Sequence, residues 1–136
     1  MSKLLLDTNV LIYSIDEGSK YFNKAQSMLS ERYELFTTSK NISEFLSVIT
    51  RIPSNPLPLH DALLIVEDFT KIMTILYPNE ESFIIFQKLL KNYKPTGLKI
   101  HDYEILSIGI ANHVTTVATF NEKDFREVKE IQLYSI

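Results

Sequence analysis

The chain of 136 residues has no cysteine, three glycines, five prolines and no excess of basic charge. Without cysteine there is no disulfide framework, no thiolate metal site and no cysteine nucleophile. So little glycine and proline excludes a collagen-like repeat, and the even composition excludes a coiled coil or a disordered segment. No apolar run approaches the roughly 18 residues that a membrane span requires. At the start, Leu4-Leu5-Leu6 between Lys3 and Asp7 is too short for a signal-peptide core, and no small-residue cleavage site follows. A cytoplasmic location with no membrane partner is the expectation. At face value the 17 acids against 14 bases, a net charge of −3, argue against nucleic acid, because its binders usually carry a basic footprint.

What is present fits one soluble domain over residues 1–136, with 45% hydrophobic and 23% charged residues and enough chain to bury a sizeable core. Lys3–Leu6 reads as a buried strand, and Val10, Leu11, Ile12 and Ile15 as a helix that starts immediately after it. Apolar residues at helical spacing predict a second helix from Ser19 to Arg32, followed by a strand over Glu34–Thr38. Ile42, Phe45, Leu46 and Ile49 predict a third helix, ended by Pro53, Pro56 and Pro58. Further helices are expected over His60–Lys71, from Phe83 to about Tyr93, and from about His101, with strands at Met73–Leu76, Thr115–Phe120 and Ile131–Tyr134. Strands alternating with helices imply βαβ units and a mainly parallel sheet.

In such a sheet, sites form beyond the carboxyl ends of the strands. Asp7 ends the first strand, and Asn121 and Asp124 follow the strand Thr115–Phe120. Glu44 and Asp102 fall in the first turns of helices that follow loops. Each acid also has an ordinary role. Asp7 suits a helix N-cap, Asn41-Ile42-Ser43-Glu44 reads as a capping box with Glu44 reaching back to the Asn41 amide, and Asp102 and Asp124 suit helix starts. Caps do not require four acids at the same edge of one sheet. Clustered carboxylates raise one another's pKa or bind a cation. All-oxygen ligands without cysteine or paired histidine point to Mg²⁺ or Mn²⁺ rather than zinc, and such ions serve phosphodiester hydrolysis. His60, His101 and His113 are scattered and form no acid–base pair, although His101 adjoins Asp102.

The motifs themselves resemble a known family. Leu6-Asp7-Thr8-Asn9-Val10-Leu11-Ile12 resembles the opening of PIN-domain proteins, above all VapC toxins of type II toxin–antitoxin pairs. Ser43-Glu44-Phe45-Leu46, Gly97-Leu98-Lys99-Ile100-His101-Asp102 and Thr119-Phe120-Asn121-Glu122-Lys123-Asp124-Phe125 resemble the second, third and fourth PIN motifs, in order. The resemblance implies a three-layer α/β/α fold around a mainly parallel sheet of four or five strands. It makes Asp7, Glu44, Asp102 and Asp124 the catalytic, metal-binding acids, supported by Thr8, Asn9, Thr119 and Asn121. Many family members carry an acid where this chain has Asn121. The implied activity is Mg²⁺- or Mn²⁺-dependent hydrolysis of RNA to a 5′-phosphate and a 3′-hydroxyl. A cognate antitoxin and a homodimer are implied as partners.

Between Ser82 and His101 lie Lys88, Lys91, Lys94 and Lys99 and no acid, a candidate phosphate-binding run or a solvated helix face. In the helix after Asp102, Ser107, Gly109 and Ala111 keep the family's small residues, and Tyr103 is expected to pack. Other readings are a PIN nuclease of RNA processing or decay, a catalytically silent PIN-like binding module, and an aspartyl-phosphate enzyme of haloacid dehalogenase type. The last requires a second aspartate where Asn9 stands. Setting the four acids aside leaves 13 acids against 14 bases, so the acidic balance reflects the candidate pocket rather than the whole surface.

Overall fold

The structure, a computed structural model, describes residues 2–30, 32–53 and 55–136. Five strands, β1 (Ser2–Leu6), β2 (Tyr33–Thr38), β3 (Thr74–Leu76), β4 (Thr116–Ala118) and β5 (Gln132–Leu133), form one sheet in the order β3-β2-β1-β4-β5. Every pairing is parallel, with Leu4 opposite Leu35 and Leu5 opposite both Phe36 and Val117. Parallel strands covered on both faces read as continuous apolar runs. In β1, Leu4 and Leu6 point into one core and Leu5 into the other.

The first core is covered by α1 (Thr8–Ile15), α2 (Phe22–Met28), α3 (Ser39–Ile49) and α4 (Leu59–Ile72), through Val10, Met28, Phe45 and Phe69 among others. On the other face lie α5 (Glu80–Tyr93) and α6 (Lys99–Ala111), contributing Leu89, Leu106 and Ile108. The expected three-layer α/β/α architecture is therefore present, with five strands.

Local boundaries move for physical reasons. The helix expected over Ser19–Arg32 contracts to Phe22–Met28. At its start the Ser19 hydroxyl accepts the Tyr21 amide in a turn, and at its end the Leu29 amide closes back on the Gln26 carbonyl. Glu31, within that expected helix, lies outside the described residues. The strand expected over Thr115–Phe120 contracts to Thr116–Ala118, because Thr119 and Phe120 turn away to bond the loop after β1. The helix after Pro95 begins at Lys99, two residues before His101.

Gly109 explains how closely α6 approaches the sheet. A Cβ there would stand 2.8 Å from the Val114 carbonyl oxygen and 2.9 Å from Leu5 Cδ2. Tyr103 packs as expected, fully buried, with its hydroxyl donating to Glu127 at 2.7 Å. Among the described residues no helix is long and apolar enough to cross a membrane.

Candidate active site

The strand order reverses at β1: the chain leaves it for β2 on one side and later returns to β4 on the other. Parallel α/β sheets open a crevice beyond the carboxyl ends at such a point, and Asp7 closes β1 there. Its amide donates to the Ala118 carbonyl at 3.0 Å, so the β1 and β4 exits are tied together.

Asp7 caps α1: its Oδ1 accepts the Thr8 amide at 2.8 Å. Its Oδ2 accepts the Thr119 hydroxyl at 2.8 Å. Thr119 is saturated, since its Oγ1 also accepts Asn9 Nδ2 at 3.1 Å and the Asn121 amide at 3.0 Å. Asn9 Oδ1 in turn accepts the Phe120 amide at 3.1 Å. Beneath this loop the Phe120 ring packs on Tyr21 and Tyr13, with centroids 4.7 and 5.2 Å away. Thr8, Asn9 and Thr119 therefore orient Asp7 rather than line an open surface, and Thr8 and Thr119 are buried.

The parts that Thr38 and Asn41 play in this cradle, beyond a strand end and a helix cap, are absent from the sequence reading. The capping box expected at Asn41–Glu44 instead runs from Thr38 to Asn41. Thr38 Oγ1 accepts the Asn41 amide at 3.2 Å, while Asn41 Oδ1 accepts the Thr38 hydroxyl at 2.7 Å and the Thr38 amide at 3.2 Å. Asn41 Nδ2 continues to Thr8 Oγ1 at 2.9 Å, with a longer 3.5 Å contact to Asp7 Oδ1. The identifying signal was Thr38 three residues before Asn41, at the end of a β-branched strand. The shift has a chemical consequence: Glu44 is released from capping and stands exposed one turn further along α3.

Glu44, Asp102 and Asp124 share a cleft of ≈ 500 Å³ with Val48, Arg51, Leu98, Lys99 and His101. One wall is α3 and the other the start of α6, while Asp124 comes from a single 3-10 turn, Glu122–Asp124, after β4. A Lys40–Glu104 ion pair at 3.4 Å joins α3 to α6. Asn121 Nδ2 donates to Asp124 Oδ2, so the amide at this position orients its neighbouring acid. Asp7 is not on the cleft lining but sunk behind it, and its charge is felt there.

Burial pushes the Asp102 carboxyl up from 3.8 to about 7, reinforced by the charges of Asp7, Asp124 and Glu44 and only partly relieved by Lys99. Burial also raises Asp7, against the opposing bonds from Thr119 and Thr8, with Glu44 and Asp124 adding repulsion. The four acids thus form one electrostatic unit although they come from four separate elements. The Coulomb repulsion that links them calls for a cation.

A divalent ion suits this donor set. All donors are oxygens, and the nearest histidine, His101, is an exposed residue of the cleft wall. Among the described residues no three acid or histidine side chains are already drawn together into a coordination shell. Asp102, raised to about 7 by burial and then by its fellow acids, holds its proton up to neutral pH, and a cation beside it would favour the ionised form.

Of the lysines singled out in the sequence, only Lys99 lines the cleft, where it pairs with Glu127 at 3.2 Å. Lys88 and Lys91 lie exposed on α5, and Lys94 forms its left-handed C-cap at φ 51°. Arg51, which the sequence reading passed over, lines the cleft three residues beyond Val48, just past the end of α3. Its signal was the Glu44, Val48, Arg51 spacing, which repeats on one helix face.

The PIN domain family model matches residues 4–131. No curated protein matches the chain in sequence. Among solved structures, the chain is similar to VapBC-1 from nontypeable Haemophilus influenzae, with a TM-score of 0.73 and 21% identity over 98% of this chain and 97% of that one. It is similar to VapC20 of Mycobacterium tuberculosis, described as a sarcin-ricin loop cleaving toxin, with a TM-score of 0.72 and 8% identity over 92% and 95% of the two chains. A third is FitAcB from Neisseria gonorrhoeae, with a TM-score of 0.70 and 16% identity over 97% and 96%.

Proposed function

The chain belongs to the PIN domain family, and on that premise we propose that it is a Mg²⁺- or Mn²⁺-dependent ribonuclease, a single nuclease domain acting as the toxin of a VapBC-type pair. The observation that carries this reading is the convergence of Asp7, Glu44, Asp102 and Asp124 on one crevice, where burial, reinforced by the charges of the other acids, pushes Asp102 up to about 7.

In this reading the four acids hold the ion. When bound, the ion supplies charge that makes water a competent nucleophile near neutral pH and offsets charge growing on the phosphate. The chain's own residues do the positioning. Thr119 and the Thr8 amide fix the direction of the Asp7 carboxylate, and Asn121 fixes that of Asp124. Asp102 gives up its proton as the cation enters, so occupancy rises with pH through about 7. The water oxygen bonds to phosphorus and gives up a proton to solvent, the bond from phosphorus to the 3′-oxygen breaks, and that oxygen takes up a proton from solvent and leaves as a hydroxyl.

The similar VapBC and FitAcB structures favour an antitoxin as partner, one that covers the carboxylate cleft, and homodimerisation in the cytoplasm completes the reading. Exposed Lys88, Lys91 and Lys94 offer flanking RNA a positive face, with Lys99 nearer the cut. Retention of all four acids favours an active nuclease over a silent binding module. The test is cleavage of single-stranded RNA by the purified protein with Mg²⁺ or Mn²⁺, against EDTA and the Asp7→Asn and Asp102→Asn variants. The expected result is cleavage only by the parent protein with metal. Cleavage that survives EDTA and both substitutions overturns it.

A further inference from the structure

RNA entering this cleft meets a cluster of like-charged carboxylates, so its phosphates need a cation on the wall beside them. Three side chains with permanent positive charge stand around the cleft and the groove continuing from it: Lys40, Arg51 and Lys99. Lys40 is paired with Glu104 at 3.4 Å and Lys99 with Glu127 at 3.2 Å. Glu127 is itself tied down by the Tyr103 hydroxyl, so Lys99 is held toward the far wall. Arg51 has no ion pair among the described residues. Its Nε donates to the Ser47 carbonyl at 3.0 Å, which anchors the stem, and among the described residues neither terminal amino group of the guanidinium has a hydrogen-bond partner. That fork is the geometry that matches two phosphate oxygens.

On the opposite wall is Leu98, 84% exposed, the most exposed large apolar residue described. It follows Gly97, whose φ of 64° makes the turn into α6. An exposed leucine alone needs no explanation. One on the lining of a charged cleft supplies an apolar contact that phosphate and metal cannot use, but a nucleobase can.

Resting on the ribonuclease reading, we propose that Arg51 grips a backbone phosphate next to the scissile bond and that Leu98, across the cleft, packs on the adjoining base. Both are positioning residues. Arg51 also lies just past the C-terminus of α3, where a cation is favourable for the helix alone. The test therefore has to separate grip from fold.

The probe is a 5′-fluorescein single-stranded RNA oligonucleotide, its binding followed by anisotropy with Mg²⁺ over a range of salt, in an Asp7→Asn background that silences cleavage. Adding Arg51→Ala is expected to weaken binding about tenfold and lower the salt slope by about one. Arg51→Lys is expected to restore the slope but not the full affinity, since charge returns without the fork. Leu98→Ala is expected to weaken binding a few-fold with the slope unchanged. Unchanged affinity and slope in Arg51→Ala, while the background protein binds RNA, overturns the inference and leaves the ribonuclease reading intact. Failure of the background protein to bind this RNA together with failure of the parent protein to cleave it overturns both; where the parent cleaves it, the same comparison is read from the KM of Arg51→Ala and Arg51→Lys against the parent over the same salt range. Should Arg51→Ala also lower the melting temperature, Arg51→Lys decides: a restored slope supports the grip, and a slope that stays reduced overturns it.

Discussion

Asp7 and Asp102 carry the same side chain into the same cluster, yet the surroundings that hold them differ. Asp7 sits in a cradle of Thr8, Asn9, Asn41 and Thr119, where each polar atom answers another across loops up to 112 residues apart in sequence. Asp102 stands on the cleft rim with Glu44, and among the described residues neither accepts a side-chain hydrogen bond. What acts on Asp102 is burial and the charge of its fellow acids. The inner half of the site is thus specified by folding. The outer half is set by burial and by mutual repulsion, which a bound cation would relieve.

Removing charge from either half is expected to have the largest effect on function and opposite weight on stability. Asp7→Asn and Asp102→Asn should each cut RNA cleavage by roughly 10³-fold, the scale of losing several kcal/mol of metal-supplied stabilisation. In melting experiments without metal, Asp102→Asn should be more stable than the parent, because a repelled carboxylate is gone. An Asp102→Asn protein that melts below the parent in EDTA would break the comparison.

Next in size is Thr119→Val, which keeps shape but removes the donor to Asp7 and the acceptor for Asn9 and Asn121. The expectation is a loss of about 1–3 kcal/mol by denaturant unfolding, from buried polar groups left unpaired. Cleavage should fall about 10–100-fold through misoriented Asp7. The matched outer substitution, Glu44→Gln, should leave stability within about 0.5 kcal/mol while still weakening cleavage.

The pH dependence sharpens the comparison further. The folded protein holds the Asp102 proton up to about 7, whereas the unfolded chain releases it near 3.8. Folding therefore loses this contribution as pH rises between those values. Without metal, the melting temperature should fall over that window, and Asp102→Asn should flatten the fall. Mg²⁺ should raise the melting temperature more at pH 8 than at pH 5. An equal rise at both would remove the coupling. The smallest effect is expected of Asn121→Asp, which adds a charge beside Asp124 and loses a donor to it: slightly lower stability without metal and tighter Mn²⁺ binding by calorimetry.

The two halves also differ in how readable they are from sequence. The carboxylates are legible because a strand ending in Asp7, a strand followed by Asn121 and Asp124, and helix starts bearing Glu44 and Asp102 define one sheet edge. The cradle is less so. Thr38–Asn41 and Asn41–Glu44 are overlapping frames for the same capping box, and asparagine suits either position. Tertiary contacts decide between them: Asn41 Nδ2 reaches Thr8, 33 positions away in sequence. Arg51 was hidden for another reason. A run of lysines without acids drew attention to α5, but only Lys99 of that run lines the cleft, while an isolated arginine at the end of α3 does. The net charge of −3 is a sum over both surfaces, and the cleft mixes the two signs.

The claim common to all of this is that acids from both halves bind one cation together. Calorimetric titration of Mn²⁺ into the parent and into Asp7→Asn, Asp102→Asn and Asp124→Asn at pH 8 tests it directly. The expected result is saturable binding by the parent, weakened at least tenfold by each substitution. Mn²⁺ affinity that is unchanged in both Asp7→Asn and Asp102→Asn would contradict it.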